Sequence, residues 1–234
     1  MIKICSDYLL LTILPLLQNI LSLLKNTVLT VSIVLGSVLA LNTTLYAAGK
    51  TPENILVLGD SLSGAFGLDS DQGWVALLQQ KISSQKYDYR VINASVSGDT
   101  TRTGLSRIQS ALKTHTPSIV IIALGGNDGL RGLPFNEIEN SLTAIIEHCK
   151  AHGTKVLLVG VRLPPNYGPV YNQKFAEIYL RLADEFQLPL VAKILDNVAG
   201  NRDLMQADGI HPKAEAQPQV MENVWLGLEG LLQR

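Results

Sequence analysis

From residue 50 to the carboxyl terminus, short apolar runs alternate with segments of helical periodicity, and this alternation limits the possible folds more than any other feature. The strand-like runs are Asn54–Leu58, Tyr89–Asn93, Ser118–Leu124, Lys155–Val159 and Leu188–Val191. Between them, apolar residues recur every three or four positions, which is typical of a helix with one buried face. Five β/α units with short links favour a parallel sheet covered by helices on both faces. The third run is the most apolar, so we predict that it forms the central strand.

The first part of the chain has a different composition. Two apolar runs, Tyr8–Leu24 and Val28–Leu41, are separated by a lysine and an asparagine, and small residues follow at 47–49. This pattern is typical of an export signal that ends in a signal-peptidase site. We therefore predict a leader over residues 1–49 and one domain over residues 50–234, periplasmic or secreted after cleavage. An uncleaved leader that anchors the domain in the inner membrane is the alternative.

The charge of the chain argues against a nucleic-acid partner. The formal net charge is −1, and the basic residues form no stripe. Cleavage of the leader would remove Cys5 and leave only Cys149, so the domain could form no internal disulfide. We expect a monomer with a small-molecule partner, and contact with a membrane surface stays open.

A candidate nucleophile follows the first predicted strand. Ser61 lies in the turn Gly59-Asp60-Ser61-Leu62, and loops rich in glycine and small polar residues also follow the second and third strands. The carboxyl ends of parallel strands meet at one edge of a sheet, where α/β proteins bind their ligands. A serine hydroxyl at this edge can act as a nucleophile if a base lies beside it and a third group orients that base.

One of the four histidines is well placed to be that base. His115 lies at the opposite end of the predicted sheet from Ser61. His148 and His152 lie one turn apart near the carboxyl end of a predicted helix, where a positive charge is favourable, and a metal site there is the alternative. His211 lies on a loop that can reach the active end of the sheet, so we predict that it is the base.

The remaining catalytic groups come from three loops. Asp208 lies three residues before His211 and can accept the imidazole Nδ1–H. The backbone N–H groups of Ser61 and Gly98 and the side-chain amide of Asn127 can donate to a tetrahedral oxyanion. Plainer interpretations stay open: a helix cap for Asp208, a surface position for His211 and a left-handed turn position for Asn127.

Four blocks of the sequence resemble the SGNH, or GDSL, hydrolase family in identity and order. The blocks are Gly59-Asp60-Ser61-Leu62, Ser97-Gly98-Asp99-Thr100, Gly126-Asn127-Asp128 and Asp208-Gly209-Ile210-His211-Pro212. The resemblance runs from about Ile55 to the carboxyl terminus. It implies a three-layer α/β/α, flavodoxin-like fold whose five-stranded parallel sheet has the order 2-1-3-4-5. It also implies that no metal or cofactor is needed.

The resemblance assigns roles to individual residues. It implies that Ser61 is the nucleophile, His211 the base and Asp208 the acid that orients it. The oxyanion hole implied by the family consists of Ser61, Gly98 and Asn127. The substrate-binding residues implied for the acyl groove are Gly129, Leu130, Arg131, Leu163 and Pro164. The segment Gly64–Leu68 departs from the family pattern, which leaves the acyl or alcohol preference open.

These features predict a serine acyl hydrolase that forms an acyl-enzyme. Its expected substrates are carboxylic esters and acyl thioesters, including lysophospholipids and aryl esters. A carbohydrate O-deacetylase of the same fold and a non-catalytic flavodoxin-like binding module are the alternatives. An α/β-hydrolase is disfavoured because Ser63 stands where the nucleophile elbow of that fold has a glycine.

Overall fold

The computed structural model describes residues 15–27, 31 and 51–233. Its sheet has five parallel strands in the order β2-β1-β3-β4-β5, as the flavodoxin-like prediction required. The strands are β1 (Glu53–Gly59), β2 (Tyr89–Asn93), β3 (Ile119–Ala123), β4 (Lys155–Val159) and β5 (Leu190–Val191). Every residue of β3 is buried, and β3 is the middle strand, which confirms the prediction made from its apolar sequence.

Helices connect successive strands and follow the last one. They are α1 (Trp74–Ser84), α2 (Thr101–His115), α3 (Gly126–Leu130), α4 (Phe135–Ala151), α5 (Pro169–Phe186) and α6 (Gln217–Leu228). Single 3₁₀ turns lie at Pro165–Tyr167, Ala214–Ala216 and Glu229–Leu231. The three-layer arrangement follows from this alternation, because each helix returns the chain to the starting edge of the sheet.

Alternate residues of β1 pack into two separate cores. Ile55 and Val57 face the side covered by α1 and α6, whereas Leu56 and Leu58 face the side covered by α2, α4 and α5. All four side chains are fully buried. A strand that is buried on both faces has to be apolar at every position, which explains the continuous run in the sequence.

Two elements differ from the sequence prediction. The fifth strand has only two residues, and a short helix, α3, lies where a glycine-rich loop was expected. Glycine has a poor helix propensity, so α3 depends on tertiary hydrogen bonds. The hydroxyl of Tyr171 donates to Gly129 O at 3.0 Å, and the hydroxyl of Tyr167 donates to Leu130 O at 2.7 Å.

Most of the predicted leader lies outside the described residues, including its predicted cleavage site at 47–49. Within the leader, residues 15–27 are helical. No helix in the described part of the chain is both long and apolar enough to cross a bilayer. Internal contacts group residues 52–234 as one compact unit. The domain boundary at residues 49 and 50 stays a prediction.

Candidate active site

Ser61 lies on a tight turn at the carboxyl end of β1. The carbonyl of Asp60 accepts the N–H groups of Ser63 and Gly64 at 3.2 and 2.9 Å, so the chain reverses within one turn. A Cβ on Gly59 would lie 2.6 Å from Ser63 Oγ, so only glycine fits at the point where the strand ends. This turn holds the Ser61 side chain half-buried at the edge of the sheet.

The structure brings Ser61, His211 and Asp208 into one hydrogen-bonded row. Ser61 Oγ lies 2.8 Å from His211 Nε2, although the two residues are 150 positions apart. His211 Nδ1 lies 2.7 Å from Asp208 Oδ2. An ionised carboxylate can only accept, so Nδ1 carries the proton and Nε2 is left to accept from the serine hydroxyl.

Asp208 is held in its ionised form. Burial raises the pKa of this carboxyl group, but hydrogen bonds from the backbone and ring of His211 and from the N–H of Ile210 outweigh burial and lower the pKa to about 2. The two backbone N–H groups lie 3.0 and 2.9 Å from Asp208 Oδ1. One oxygen of Asp208 therefore fixes the loop, and the other orients the imidazole.

The predicted oxyanion donors come from three loops. Within residues 51–233, the backbone N–H groups of Ser61 and Gly98 have no hydrogen-bond acceptor, so both can donate to a ligand. Gly98 has a φ of +85°, a backbone conformation that side chains disfavour. The side-chain amide of Asn127 donates to Asp99 O at 2.9 Å and lies 3.4 Å from Asp60 Oδ2. Asn127 also lines the cavity beside Ser61.

Arg107 on α2 connects the loops that carry these donors. Its guanidinium group donates to Ala94 O and, at 3.3 Å, to Gly59 O, which lie at the ends of β2 and β1. It also forms an ion pair with Asp99 at 2.6 Å. The carbonyl of Asp99 also accepts the Asn127 amide. The Arg107 side chain therefore links the loops that follow β1, β2 and β3.

Asp60 is buried beside the site, and its pKa is raised. Only 4% of the residue is exposed, and burial raises its pKa from an ordinary value of 3.8 to about 6. A hydrogen bond of 3.0 Å from the N–H of Leu62 opposes that rise. Asp60 therefore shapes the Ser61 turn, contacts Asn127 and lines the cavity beside Ser61 and His211.

A cavity of about 440 Å³ opens beside Ser61 and His211. Its apolar lining residues are Leu62, Leu130, Val161, Leu163, Pro164, Pro165, Leu195, Ala199, Met205 and Ile210. Of the five predicted groove residues, Leu130, Leu163 and Pro164 line this cavity, whereas Gly129 and Arg131 do not.

Gly129 lies behind a wall residue of the cavity, and Arg131 contacts the loop that carries Gly98. A Cβ on Gly129 would lie 2.7 Å from a methyl group of Leu163, so the glycine lets that side chain pack closely. The guanidinium group of Arg131 turns away and donates to Gly98 O at 3.0 Å. Sequence order alone could not separate these two residues from Leu130, because they share one short helical turn.

The other histidines lie away from Ser61, Asp208 and His211. His148 contacts Gln109 on the surface, at 3.1 Å from its Nε2. His115 ends α2, at the opposite edge of the sheet from Ser61. In the described part of the chain, no three His, Cys, Asp or Glu side chains are grouped to hold a metal ion.

The sequence is similar to a known family and to characterised enzymes of two bacteria. Residues 57–217 match the GDSL-like lipase/acylhydrolase family. The chain is 49% identical to the esterase TesA of Pseudomonas aeruginosa over 189 residues, which cover 81% of this chain and 92% of that protein. It is 43% identical over 170 residues to thioesterase 1/protease 1/lysophospholipase L1 of Escherichia coli K12, covering 73% and 80% of the two chains.

The fold is similar to that of a solved structure. The crystal structure of TesA superimposes with a TM-score of 0.76 at 49% sequence identity. The aligned region covers 77% of this chain and all of that one. The family match over residues 57–217 includes the loops that carry Ser61, Asp208 and His211.

Proposed function

Because the chain belongs to the GDSL-like lipase/acylhydrolase family, we propose that it is a serine hydrolase of esters and thioesters in which Ser61, His211 and Asp208 carry the reaction. The observation that carries this assignment is the 2.8 Å contact between Ser61 Oγ and His211 Nε2. This contact supplies both a nucleophile and the base that activates it.

Acylation begins when Ser61 Oγ attacks the carbonyl carbon and His211 Nε2 takes the hydroxyl proton. The negative charge that develops on the carbonyl oxygen is stabilised by the N–H groups of Ser61 and Gly98 and by the Asn127 amide. The carbon–oxygen or carbon–sulfur bond then breaks, and His211 gives its proton to the departing alcohol or thiol. Asp208 stays ionised and stabilises the imidazolium ion that forms between these steps.

Deacylation repeats these steps with water as the nucleophile. His211 removes a proton from water, the resulting hydroxide attacks the acyl carbon, and Ser61 regains its hydroxyl proton as the acid is released. Both half-reactions need the same base and the same oxyanion donors. The departing alcohol or thiol takes part only in the first.

The lining of the cavity favours an apolar acyl chain. Leucine, isoleucine, methionine and proline side chains surround the space beside Ser61, whereas a polyhydroxylated sugar would need polar partners. We therefore favour fatty acyl esters and thioesters, including single-chain lysophospholipids, over a carbohydrate O-deacetylase. Two relatives named as an esterase and as a thioesterase and lysophospholipase support this choice.

We also propose that the enzyme is exported and acts as a monomer on small acyl substrates. The apolar runs and small residues within 1–49 support a cleaved leader, which would place the enzyme in the periplasm or outside the cell. Fractionation of cells expressing the full chain, with the amino terminus of the mature protein sequenced, tests this location. An intact leader in the membrane fraction would instead support the anchored form.

Hydrolysis of a p-nitrophenyl acyl ester by serine and histidine variants tests the catalytic assignment. Ser61→Ala and His211→Ala should each abolish turnover, because nucleophile and base act as a unit. Ser63→Ala is the matched control for the serine, since its buried hydroxyl has no hydrogen-bond partner in the described structure. His148→Ala is the control for the histidine. Turnover retained by Ser61→Ala in a folded protein would reject the assignment.

A further inference from the structure

The aromatic ring of Phe66 lies against the imidazole of His211. The two ring centroids are 4.4 Å apart, and the ring planes are inclined by 31°. Phe66 is 48% exposed, and it does not belong to the lining of the cavity beside Ser61. The ring therefore has one side on the catalytic imidazole and a further side open to solvent.

The backbone around Phe66 is fixed by unusual conformations on both sides. Ala65 and Gly67 have φ values of 54° and 74°, so the ring lies between two left-handed residues. Ala65 is buried, and left-handed geometry is strained for a residue with a side chain. These two residues consequently define the backbone turn from which the Phe66 side chain extends.

Gln206 binds this turn to the histidine loop. Its Nε2 donates to Phe66 O at 2.8 Å and to Pro212 O at 3.1 Å, and its backbone N–H donates to His211 O at 2.8 Å. A Cβ on Gly67 would lie 2.6 Å from Gln206 Oε1, so this approach requires glycine. Gln206 thus links the backbone of the Phe66 turn to the backbone of the loop that carries His211.

The proposed chemistry places the leaving group beside this pair of rings. His211 Nε2 has to reach the oxygen or sulfur of the departing group to give it a proton, so that group lies at the imidazole edge when its bond breaks. In the proposed reaction the acyl chain binds in the cavity lined by Leu130 and Leu163, and Phe66 is not part of that lining. The leaving group is therefore directed away from that cavity, towards the exposed phenyl ring.

We propose that Phe66 is a specificity-determining residue that binds an aromatic leaving group, a phenol or a thiophenol, by ring-to-ring contact. This inference rests on the proposed serine hydrolase function. Aromatic pairs are stabilised beyond the burial of their area by an amount equivalent to roughly 2- to 13-fold in a rate or binding constant. An alkyl alcohol of the same ester offers no ring, so Phe66 favours aryl over alkyl esters of one acyl group.

A purely structural role for Phe66 makes a different prediction. If the ring only holds the imidazole in place, its loss slows every step that uses His211, including deacylation. If the ring binds the leaving group, its loss slows acylation by aryl esters alone, because the acyl-enzyme no longer contains that group. Rates of the two half-reactions therefore separate the two roles.

Phenyl butyrate and methyl butyrate, hydrolysed by wild type, Phe66→Leu and Phe66→Tyr, provide the test. Phe66→Leu should lower kcat/KM for the phenyl ester by roughly 2- to 13-fold and change that for the methyl ester by less than 2-fold. Phe66→Tyr retains a ring and should restore the wild-type ratio. The hydrolysis rate of the butyryl-enzyme, followed by rapid acid quench, should be the same in all three.

Two outcomes would overturn the inference. Equal losses on both esters with slower deacylation would make Phe66 a support for His211 alone, and an unchanged ratio in Phe66→Leu would remove any part in substrate choice. Thermal unfolding of each variant checks that it is folded. Failure of the wild type to hydrolyse either ester would instead count against the proposed function, so the two claims fail separately.

Discussion

Folding buries the carboxyl group of Asp60, which is exposed to water in the unfolded chain. It is 4% exposed, and burial raises its pKa to about 6. In the unfolded chain its pKa returns to about 3.9. Between these two values the folded protein holds a proton that the unfolded chain has lost, so raising the pH over this interval favours unfolding.

Stability measured against pH should reveal this group. As the pH rises from about 4 to 6, Asp60 should remove roughly 3 kcal/mol from the free energy of unfolding, with no further loss above that interval. Asp60→Asn cannot ionise, so its free energy of unfolding relative to wild type should rise over the same interval and then level off. Guanidinium unfolding at one-unit steps from pH 4 to 8 measures this difference. A difference that does not vary with pH would contradict a buried, titrating Asp60.

At the residue scale, the sequence predicted Ser61, His211 and Asp208 as catalytic residues, and the structure places them side by side, but the sequence did not predict the groups that hold them. A nucleophile, a base and an acid can be recognised by residue type and by position after a strand. Phe66 and Gln206 act through a ring contact and backbone carbonyls, which any sequence could supply. The departure of Gly64–Leu68 from the family pattern was the available signal for Phe66.

At the scale of elements, α2 connects the first two strands of the chain to the oxyanion loops. Its residue Arg107 donates to carbonyl groups at the carboxyl ends of β1 and β2 and pairs with Asp99. The backbone carbonyl of Asp99 in turn accepts the Asn127 amide. The side chains of this ion pair are 26% and 10% exposed, so solvent screens it only in part. Helix α2 therefore controls the distances between donors that belong to separate loops.

Replacing Arg107 with methionine should slow catalysis more than it weakens substrate binding. Misplaced donors stabilise the oxyanion poorly, so we expect kcat to fall roughly 100-fold with little change in KM. Arg102→Met on the exposed side of α2 is the matched control. In Arg107→Met the buried carboxylate of Asp99 loses its partner. The double variant Arg107→Met with Asp99→Asn removes that unpaired charge as well. Recovery of full kcat in that double variant would show that the loss came from the stranded carboxylate and not from loop position.

The elements themselves were largely predictable because they obey local periodicity. Strands β1 to β4 and the helices between them could be predicted from apolar spacing. Strand β3 could be predicted as central because its sequence is apolar on both faces, as a central strand requires. Helix α3 could not be predicted, since the tyrosine hydroxyls that support it come from residues 167 and 171. Strand β5 is shorter than the predicted run, which contains Pro189, a residue with no backbone N–H to donate to a sheet.

At the scale of the whole molecule, one edge of the sheet collects groups from distant parts of the sequence. Ser61 follows β1, Gly98 follows β2, Asn127 follows β3, and His211 precedes α6. Parallel strands place all of these loops at the same edge, and that topology was predictable from the β/α alternation. The contact between Phe66 and His211 on the leaving-group side of the site could not be predicted, because it depends on how two loops pack.

The central claim is that Ser61 becomes acylated during turnover. Wild-type enzyme should be mixed with a p-nitrophenyl acyl ester, quenched in acid within the first turnover and digested, and its peptides sequenced by mass spectrometry. A mass increase equal to the acyl group should be found on Ser61 and should be absent from Ser61→Ala treated in the same way. An acyl group on another residue, or turnover with no acylated peptide, would contradict the claim.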